Sequence, residues 1–543
     1  MNCEQPGVVA VEAAAGRFWA LFSPFECIRV ALISNLLETR LTYIMALDQG
    51  TSSSRAIIYE NDAQGATRVV AQAQHDFDMH FPADGWVEQD PEVLWQTTLA
   101  AGRDAIEASG LAAADIACIG ITNQRETSLL WDRQTGDCVY NAIVWQDRRT
   151  ADQCEHMRRD TLAGEALEEA LVARTGLVID PYFSSTKLAW LLHNVEQARH
   201  RAEQGELCFG TVDSFLIWRL TNGGAHVTDA TNASRTQLFD IHHQVWCADL
   251  LNYFEIPSSV LPQVCDSAGF FGLADEQWFG AEIPITGVAG DQQAALVGQG
   301  CFTEGMTKST YGTGCFLITN TGNKALRSEE KLLTTVAYRI GGETTYALEG
   351  SIFVAGVAIK WLRDKLKLID TPQDTQAAFE RTGGDTQGVY VVPAFTGLGA
   401  PYWQPNARGL ITGLSLDSDR DHVLTAFLQS VVFLSQALLS AMGNDGASVQ
   451  RLRVDGGMVV NDALCQFLAD ILNVPVDRPA DAETTALGAA LLAGLGRGLY
   501  ANLDAAANAW HGEHEFLPRM DEVRRQQLLT GFRRALAQAL TQG

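Results

Sequence analysis

Apolar residues in this chain recur with two rhythms, and the switches between them mark out its elements. Short apolar or alternating runs read as strands at Leu41–Leu47, Ala56–Tyr59, Ile116–Ile121, Ile283–Ile285 with Val288, Lys308–Tyr311 and Leu452–Asp455. Spacings of three and four predict helices elsewhere. One begins at Pro91, capped by Asp90, with Leu94, Trp95, Leu99 and Ile106 on its apolar face. A second, capped by Asn461, carries Leu464, Phe467, Leu468, Ile471 and Leu472 on one side. The last runs Glu522–Leu540, with Leu528, Leu529, Phe532, Leu536 and Leu540 predicted to pack on the second half of the chain. The glycine-rich apolar run Ala486–Leu495 is too short to cross a bilayer and predicts a tightly packed internal helix.

Two of the strand pairs are hairpins with the same kind of turn. The first, Asp48-Gln-Gly-Thr-Ser-Ser-Ser-Arg55, places Gly50, Thr51, Ser52 and Ser53 at its tip. Short hydroxyls and turn amides form a cradle for an anion, and Asp48, entering the turn, is a candidate Mg²⁺ ligand. The second, Lys308-Ser-Thr-Tyr-Gly-Thr-Gly-Cys-Phe316, repeats the Gly-Thr tip. Their recurrence predicts two similar halves, each opening with a hairpin. The strand ending in Gly456-Gly457 before the Asn461 helix suits close approach of a nucleotide to backbone.

The chemistry centres on Gly287-Val-Ala-Gly-Asp-Gln-Gln-Ala-Ala-Leu-Val-Gly-Gln-Gly300. Asp291 stands at a predicted strand-to-helix turn, where a helix-capping aspartate and a cleft carboxylate are both consistent with the pattern. Gly290 admits a close approach, and Gln292 and Gln293 add neutral donors and acceptors. Arg125-Glu126, at the end of the Ile116–Ile121 run, reads either as a rim salt bridge or as a donor fork beside an acceptor, suited to vicinal hydroxyls. Trp145 and Tyr182 are each either core or a flat wall for a C–H face.

At 543 residues the chain exceeds a single core and predicts two large domains. The net charge of −26 argues against nonspecific nucleic-acid binding and against docking on an anionic membrane; no membrane insertion is expected. A polyphosphate must then be held by amides, a metal ion and a few placed cations. The eleven cysteines are scattered and form no CxxC pair, which predicts reduced thiols and a cytoplasmic setting. Residues 1–40 share no motif with the rest and are expected to be a dispensable, disordered extension or the product of a mis-assigned start. They lack a basic n-region, so no signal peptide is expected.

Two phosphate hairpins, a late Asp-Gly-Gly and a cleft carboxylate resemble the actin-like (ribonuclease H-like) ATPase fold, an α/β class with two duplicated domains around a nucleotide cleft. ALDQGTSSSR from Ala46, GITNQRET from Gly120, NAIVWQDRRTA from Asn141, GLVIDPYFSSTK from Gly176, GTVDSFLIW from Gly210, AGDQQAAL from Ala289, TYGTGCF from Thr310, PAFTGLGAPYW from Pro393 and RVDGG from Arg453 together resemble bacterial glycerol kinases of the FGGY carbohydrate-kinase family. Any one motif is weak; all of them in order are specific. The resemblance implies an N-terminal FGGY domain over 41–298 and a C-terminal one over 299–543. It implies ATP-dependent phosphorylation of glycerol to sn-glycerol 3-phosphate, with Mg²⁺, and a homo-oligomer (dimer or tetramer).

By motif position, Arg125, Glu126, Tyr182, Asp291 and Gln292 would hydrogen-bond glycerol, and Trp145 and Phe316 would cover its carbon edge. Asp291 would act as general base. Asp48 and Asp291 would neighbour the metal, and Thr51, Ser52, Ser53, Arg55 and Thr313 would hold phosphates. Gly356, Lys360, Gly457 and Asn461 would line the nucleoside end. Ser52 replaces the usual second threonine, and Lys360 stands where many relatives carry glutamine. The alternatives are an FGGY kinase for another polyol or ketose, and an actin-like scaffold using ATP as a switch. Where relatives carry a Gly-Gly-Thr-Arg loop that helps bind fructose 1,6-bisphosphate, this chain reads Phe279-Gly-Ala-Glu282, and no Lys or Arg lies between Arg235 and Lys308. Loss of that inhibition is expected.

Overall fold

In the computed structural model, which describes residues 41–61, 67–404 and 406–541, the first apolar run forms β1 (Thr42–Gln49) and turns back into β2 (Ser53–Asn61) and β3 (Thr67–Asp76). The expectation for residues 1–40 lies outside the described residues. Helix α1 (Pro91–Ser109) starts on Asp90, whose carboxylate accepts the Glu92 N–H, and stops at Gly110 with φ 70°. Its Leu94, Trp95 and Leu99 are buried on the sheet. There follow β4 (Ile116–Asn123), α2 (Ser184–Asn194), β5 (Ala268–Ala274), β6 (Ile283–Gly290) and α3 (Asp291–Gly298). The strands make a six-stranded sheet in the order β5-β6-β4-β1-β2-β3. β1, β4 and β6 run parallel; the others pair antiparallel.

The second half begins with the hairpin β7 (Met306–Tyr311) and β8 (Cys315–Gly322), then β9 (Leu333–Ile340), β10 (Glu343–Ile352) and α4 (Gly356–Asp364). It continues through α5 (Arg420–Asn444), β11 (Arg451–Asp455), α6 (Asp462–Leu472), β12 (Val476–Pro479), α7 (Thr484–Arg497), β13 (Gly512–Phe516) and α8 (Glu522–Thr541). These strands form a seven-stranded sheet, β9-β10-β8-β7-β11-β12-β13. The run β10-β8-β7-β11-β12 repeats the order and direction of β3-β2-β1-β4-β6. The two Gly-Thr hairpins therefore occupy equivalent places in two copies of one topology.

Helix α5 is the one described helix long and apolar enough to cross a membrane, but most of it is buried in the core of the second lobe, where α8 also packs. Helix α7 stands between β12 and β13 of the second sheet in sequence yet lies across the first. A Cβ on Gly120 of β4 would come within 2.1 Å of the Ala489 carbonyl oxygen, and one on Gly287 of β6 within 2.2 Å of the Ala493 nitrogen. Only glycine allows backbone-to-backbone contact this close. The cut expected at 298/299 thus runs through a dense contact between α3 and α7: a Cβ on Gly488 would meet the Ala294 carbonyl oxygen at 1.8 Å.

Candidate active site

The parallel register brings the polar ends of three neighbouring strands together. Gln49 of β1 and Gly290 of β6 both pair with Asn123 of β4, so Asp48, the Arg125 loop and Asp291 emerge at one sheet edge. Carboxyl ends of parallel strands are where such folds open a cleft. Gly290 occupies the cap position of α3, and Asp291 is its first residue, its Oδ1 accepting the Gln292 N–H at 2.7 Å. Gly290 has a second duty, since a Cβ there would strike Arg125 Cγ at 2.6 Å.

Arg125 is buried, and each of its three nitrogens faces a protein acceptor. Nε faces Asp291 Oδ1 at 3.1 Å; Nη1 donates to Glu349 Oε2 at 2.6 Å and Gln293 Oε1 at 3.2 Å; Nη2 donates to Glu349 Oε1 at 3.0 Å and Tyr182 Oη at 3.5 Å. Glu126 follows with φ 59°, which turns its carboxylate to accept from Arg235 Nε at 2.6 Å. Arg235 Nη2 also donates to Glu349, at 3.1 Å. Gln292 Oε1 accepts from Lys308 Nζ at 2.5 Å. Three cations (Arg125, Arg235 and Lys308) thus interleave with three carboxylates (Glu126, Asp291 and Glu349). The two arginines pull Glu349 down to about 2 against its burial, while burial raises Glu126 despite Arg235 and Arg125. The rim-salt-bridge reading of Arg125-Glu126 is thereby replaced by a buried network.

Trp145 and Tyr182 are half-buried and form a wall, not core. Their rings meet edge-on at 5.7 Å, and Phe316 meets Trp145 at 6.4 Å. Trp145 Nε1 donates to Thr51 Oγ1 at 3.0 Å, joining this wall to the tip of the first hairpin. At that hairpin Ser52 is exposed, Thr51 and Ser53 are partly so, and Asp48 pairs with Arg55 in register. Burial and the charge of Asp291 raise the Asp48 carboxyl to about 6, with Arg55 opposing them. Arg55 is paired across the cleft with Glu483, just ahead of α7, and also donates to Gln74.

The second hairpin borders a cavity of about 330 Å³ lined by Thr313, Gly356, Lys360, Gly457 and Asn461 among others. The Gly312 and Thr313 carbonyls accept the Gly356 and Val357 N–H groups at 2.9 and 3.2 Å, locking the hairpin tip to the start of α4. A Cβ on Gly457 would meet nothing within 4 Å, so its backbone faces open space. Asn461 Oδ1 caps α6 through the Leu464 N–H at 3.1 Å. The structure therefore gathers the expected site residues into two adjoining groups, one around Asp291 and one around this cavity. Sequence reasoning missed Arg235 and Glu349 and gave Lys308 no role; the only signal was a charged residue inside an otherwise apolar or hydroxyl-rich strand or turn.

Family models for the N-terminal and C-terminal domains of the FGGY family of carbohydrate kinases match residues 43–298 and 307–496. The chain belongs to that family. Among curated relatives, it is 57% identical to a glycerol kinase of Ectopseudomonas mendocina over 92% of this chain and 99% of that one. It is also 57% identical to glycerol kinase 1 of Pseudomonas aeruginosa, over 91% and 98% of the two chains. Among solved structures, Plasmodium falciparum glycerol kinase with ADP superposes with a TM-score of 0.85 at 34% identity, covering 92% of this chain and 98% of that one. A xylulose kinase from Lactobacillus acidophilus, 21% identical with a TM-score of 0.81 and coverage of 92% and 99%, shares the FGGY fold.

Proposed function

We propose that the protein transfers the γ-phosphoryl group of ATP to glycerol, giving sn-glycerol 3-phosphate and ADP. The observation that carries this reading is the grouping of Asp291, Arg125 and Gln292 against the Trp145–Tyr182–Phe316 wall, beside a cavity that shares the second hairpin. The names and identities of the curated relatives support it. A triol offers three protons and several lone pairs. Asp291 and Glu126 are acceptors for the protons, and Arg125, Gln292 and Tyr182 donate to the oxygens. Three aromatic rings stand beside them to cover a carbon chain.

The attacking hydroxyl gives its proton to Asp291 as its oxygen bonds to the γ-phosphorus. The bond to the β,γ-bridging oxygen breaks, and ADP leaves with that electron pair. Arg125 reaches glycerol from beside Asp291, which its Nε faces at 3.1 Å. Thr51, Ser52, Ser53 and Thr313 present hydroxyls and amides to the phosphates, and Arg55 turns to them from Glu483. Gly356, Lys360, Gly457 and Asn461 take the nucleoside. Asp48 and Asp291 are hard oxygen donors close enough for one charge to raise the other's pKa, which fits Mg²⁺ held by one or two carboxylates and phosphate oxygens. Mg²⁺ supplies charge neutralisation of the phosphates when bound. A homo-oligomer in the cytoplasm belongs to the same reading.

The test is ADP release measured with glycerol against a panel of longer polyols and ketoses. Preference for glycerol supports the proposal. Preference for a ketose, or ATP turnover indifferent to every polyol, removes it in favour of another FGGY kinase or an ATP-driven scaffold.

A further inference from the structure

Lys308 is fully buried in β7, an unusual place for an ammonium group. Its Nζ donates to Gln292 Oε1 at 2.5 Å and to Thr310 Oγ1 at 2.9 Å. The charges of Asp455 and Asp291 oppose the cost of its desolvation. A lysine ammonium has three donors and no lone pair, whereas a glutamine amide has one accepting end and one donating end. Contact with Lys308 therefore fixes which end of Gln292 is which. Its oxygen is turned toward the second lobe, and its NH₂ remains for the cleft. Gln292 is only 8% exposed, so its amide has little room to satisfy both ends by other means.

We propose that Lys308 is a positioning residue that makes Gln292 an obligate hydrogen-bond donor to the polyol. The inference rests on the reading of Gln292 as a substrate contact. Its consequence is a division of labour. A hydroxyl that gives its proton to Asp291 or Glu126 can only accept at its remaining positions, and Gln292 serves such an oxygen. Because Gln292 lies in the first turn of α3 and Lys308 in the second sheet, the donor is set only when the two lobes are in contact. The seated orientation of the substrate is thus tied to the contact between the lobes.

Four variants of the full chain decide the matter in steady-state assays with glycerol and ATP. Gln292→Leu removes both ends of the amide, and Gln292→Glu keeps the acceptor and deletes the donor. The proposal expects both to lose about tenfold or more in kcat/KM for glycerol, with Gln292→Glu at least as impaired as Gln292→Leu. Lys308→Met frees the amide to flip and is expected to raise the glycerol KM several-fold with little change in the ATP KM; Lys308→Arg, again a pure donor, recovers part of the loss. A nearly wild-type Gln292→Glu beside an impaired Gln292→Leu overturns the proposal, because the amide then presents oxygen to the substrate. A Gln292→Leu variant with unchanged glycerol kinetics overturns it differently, by removing Gln292 from the substrate site. A Lys308→Met protein that folds and keeps the parent's glycerol KM overturns it as well; should that variant fail to fold, Lys308→Gln, which can offer the amide an oxygen as well as an NH₂, takes its place in the same test.

Discussion

Glu349 is the residue whose removal the structure makes most consequential. It projects from β10, in the second sheet, into the first lobe and accepts from Arg125 at 2.6 and 3.0 Å and from Arg235 at 3.1 Å. All three side chains are buried. Replacing Glu349 by alanine leaves two arginines without their shared counter-charge. Breaking a buried ion pair by deleting one partner costs about 3–5 kcal/mol. Linkage gives a second route to the magnitude. A carboxyl held at about 2 rather than its usual 4.5 contributes on the order of 3 kcal/mol near neutral pH. The two figures agree.

Function should fall as well, because Arg125 loses the fork that fixes both of its Nη atoms. One misdirected charge-assisted hydrogen bond is worth about 1.5–3 kcal/mol, so kcat/KM for glycerol should drop by about 10- to 150-fold. The nucleotide cavity has no part in this cluster, so the ATP KM should change far less. Glu349→Gln keeps the shape but sets an NH₂ against an arginine, and it should retain more stability than alanine without recovering the glycerol KM. Urea unfolding followed by tryptophan fluorescence, together with steady-state kinetics, measures both effects. A Glu349→Ala protein whose unfolding midpoint and glycerol KM match the parent would refute the reasoning. So would one in which only the ATP KM rises.

Stability should vary with pH in two opposite ways. Glu349 is depressed, so its contribution is complete above about pH 4.5 and is lost as pH falls toward 2. Asp48 and Asp213 are raised by burial to about 6 and about 7, so their contributions are complete below about pH 4 and are lost as pH rises through 6 to 7. Unfolding midpoints of the unliganded protein should therefore decline from about pH 5 to 7, less so in Asp213→Asn; a steady rise over that interval contradicts the assignment. Millimolar fructose 1,6-bisphosphate should leave activity unchanged. Glu282 occupies the loop, and although Arg103 reaches it from α1, that arginine donates to the Trp278 and Gln277 carbonyls at 2.7 and 3.4 Å. Strong inhibition relieved by changes at Gly280, Glu282 or Arg103 would reverse this prediction.

What could be read from the chain was local. Gly-Thr tips between alternating strands announced both hairpins, and Asp90-Pro91 and Asn461 announced helix starts that the structure reproduces. The glycine–aspartate turn at 290–291 is equally a short-range signal. Glu349, Arg235 and Lys308 escaped because their meaning lies in partners far along the chain. Glu349 sits amid apolar residues of β10 and looks like a surface charge on an edge until strand pairing buries it. The crossing of α7 onto the first sheet was hidden for the same reason. Nothing local marks Gly120 and Gly287 as the glycines on which the Ala489 and Ala493 backbone rests. Trp145 was ambiguous because an indole serves a core or a wall, and its bond to Thr51 decides which.

In the proposed reaction Asp291 takes the proton of a glycerol hydroxyl as ATP gives up its γ-phosphoryl group. Asp291→Asn keeps the side chain's shape and an oxygen for the Gln292 N–H while removing the base. Turnover of saturating glycerol and ATP by this variant, beside calorimetric titration of ATP to confirm an intact nucleotide site, is the direct measurement. Nucleotide affinity close to the parent and a kcat lower by about 10²- to 10⁴-fold are expected. A variant that binds ATP normally and still turns over glycerol at more than about a tenth of the parent rate, far above the range expected for a lost general base, would contradict that role of Asp291.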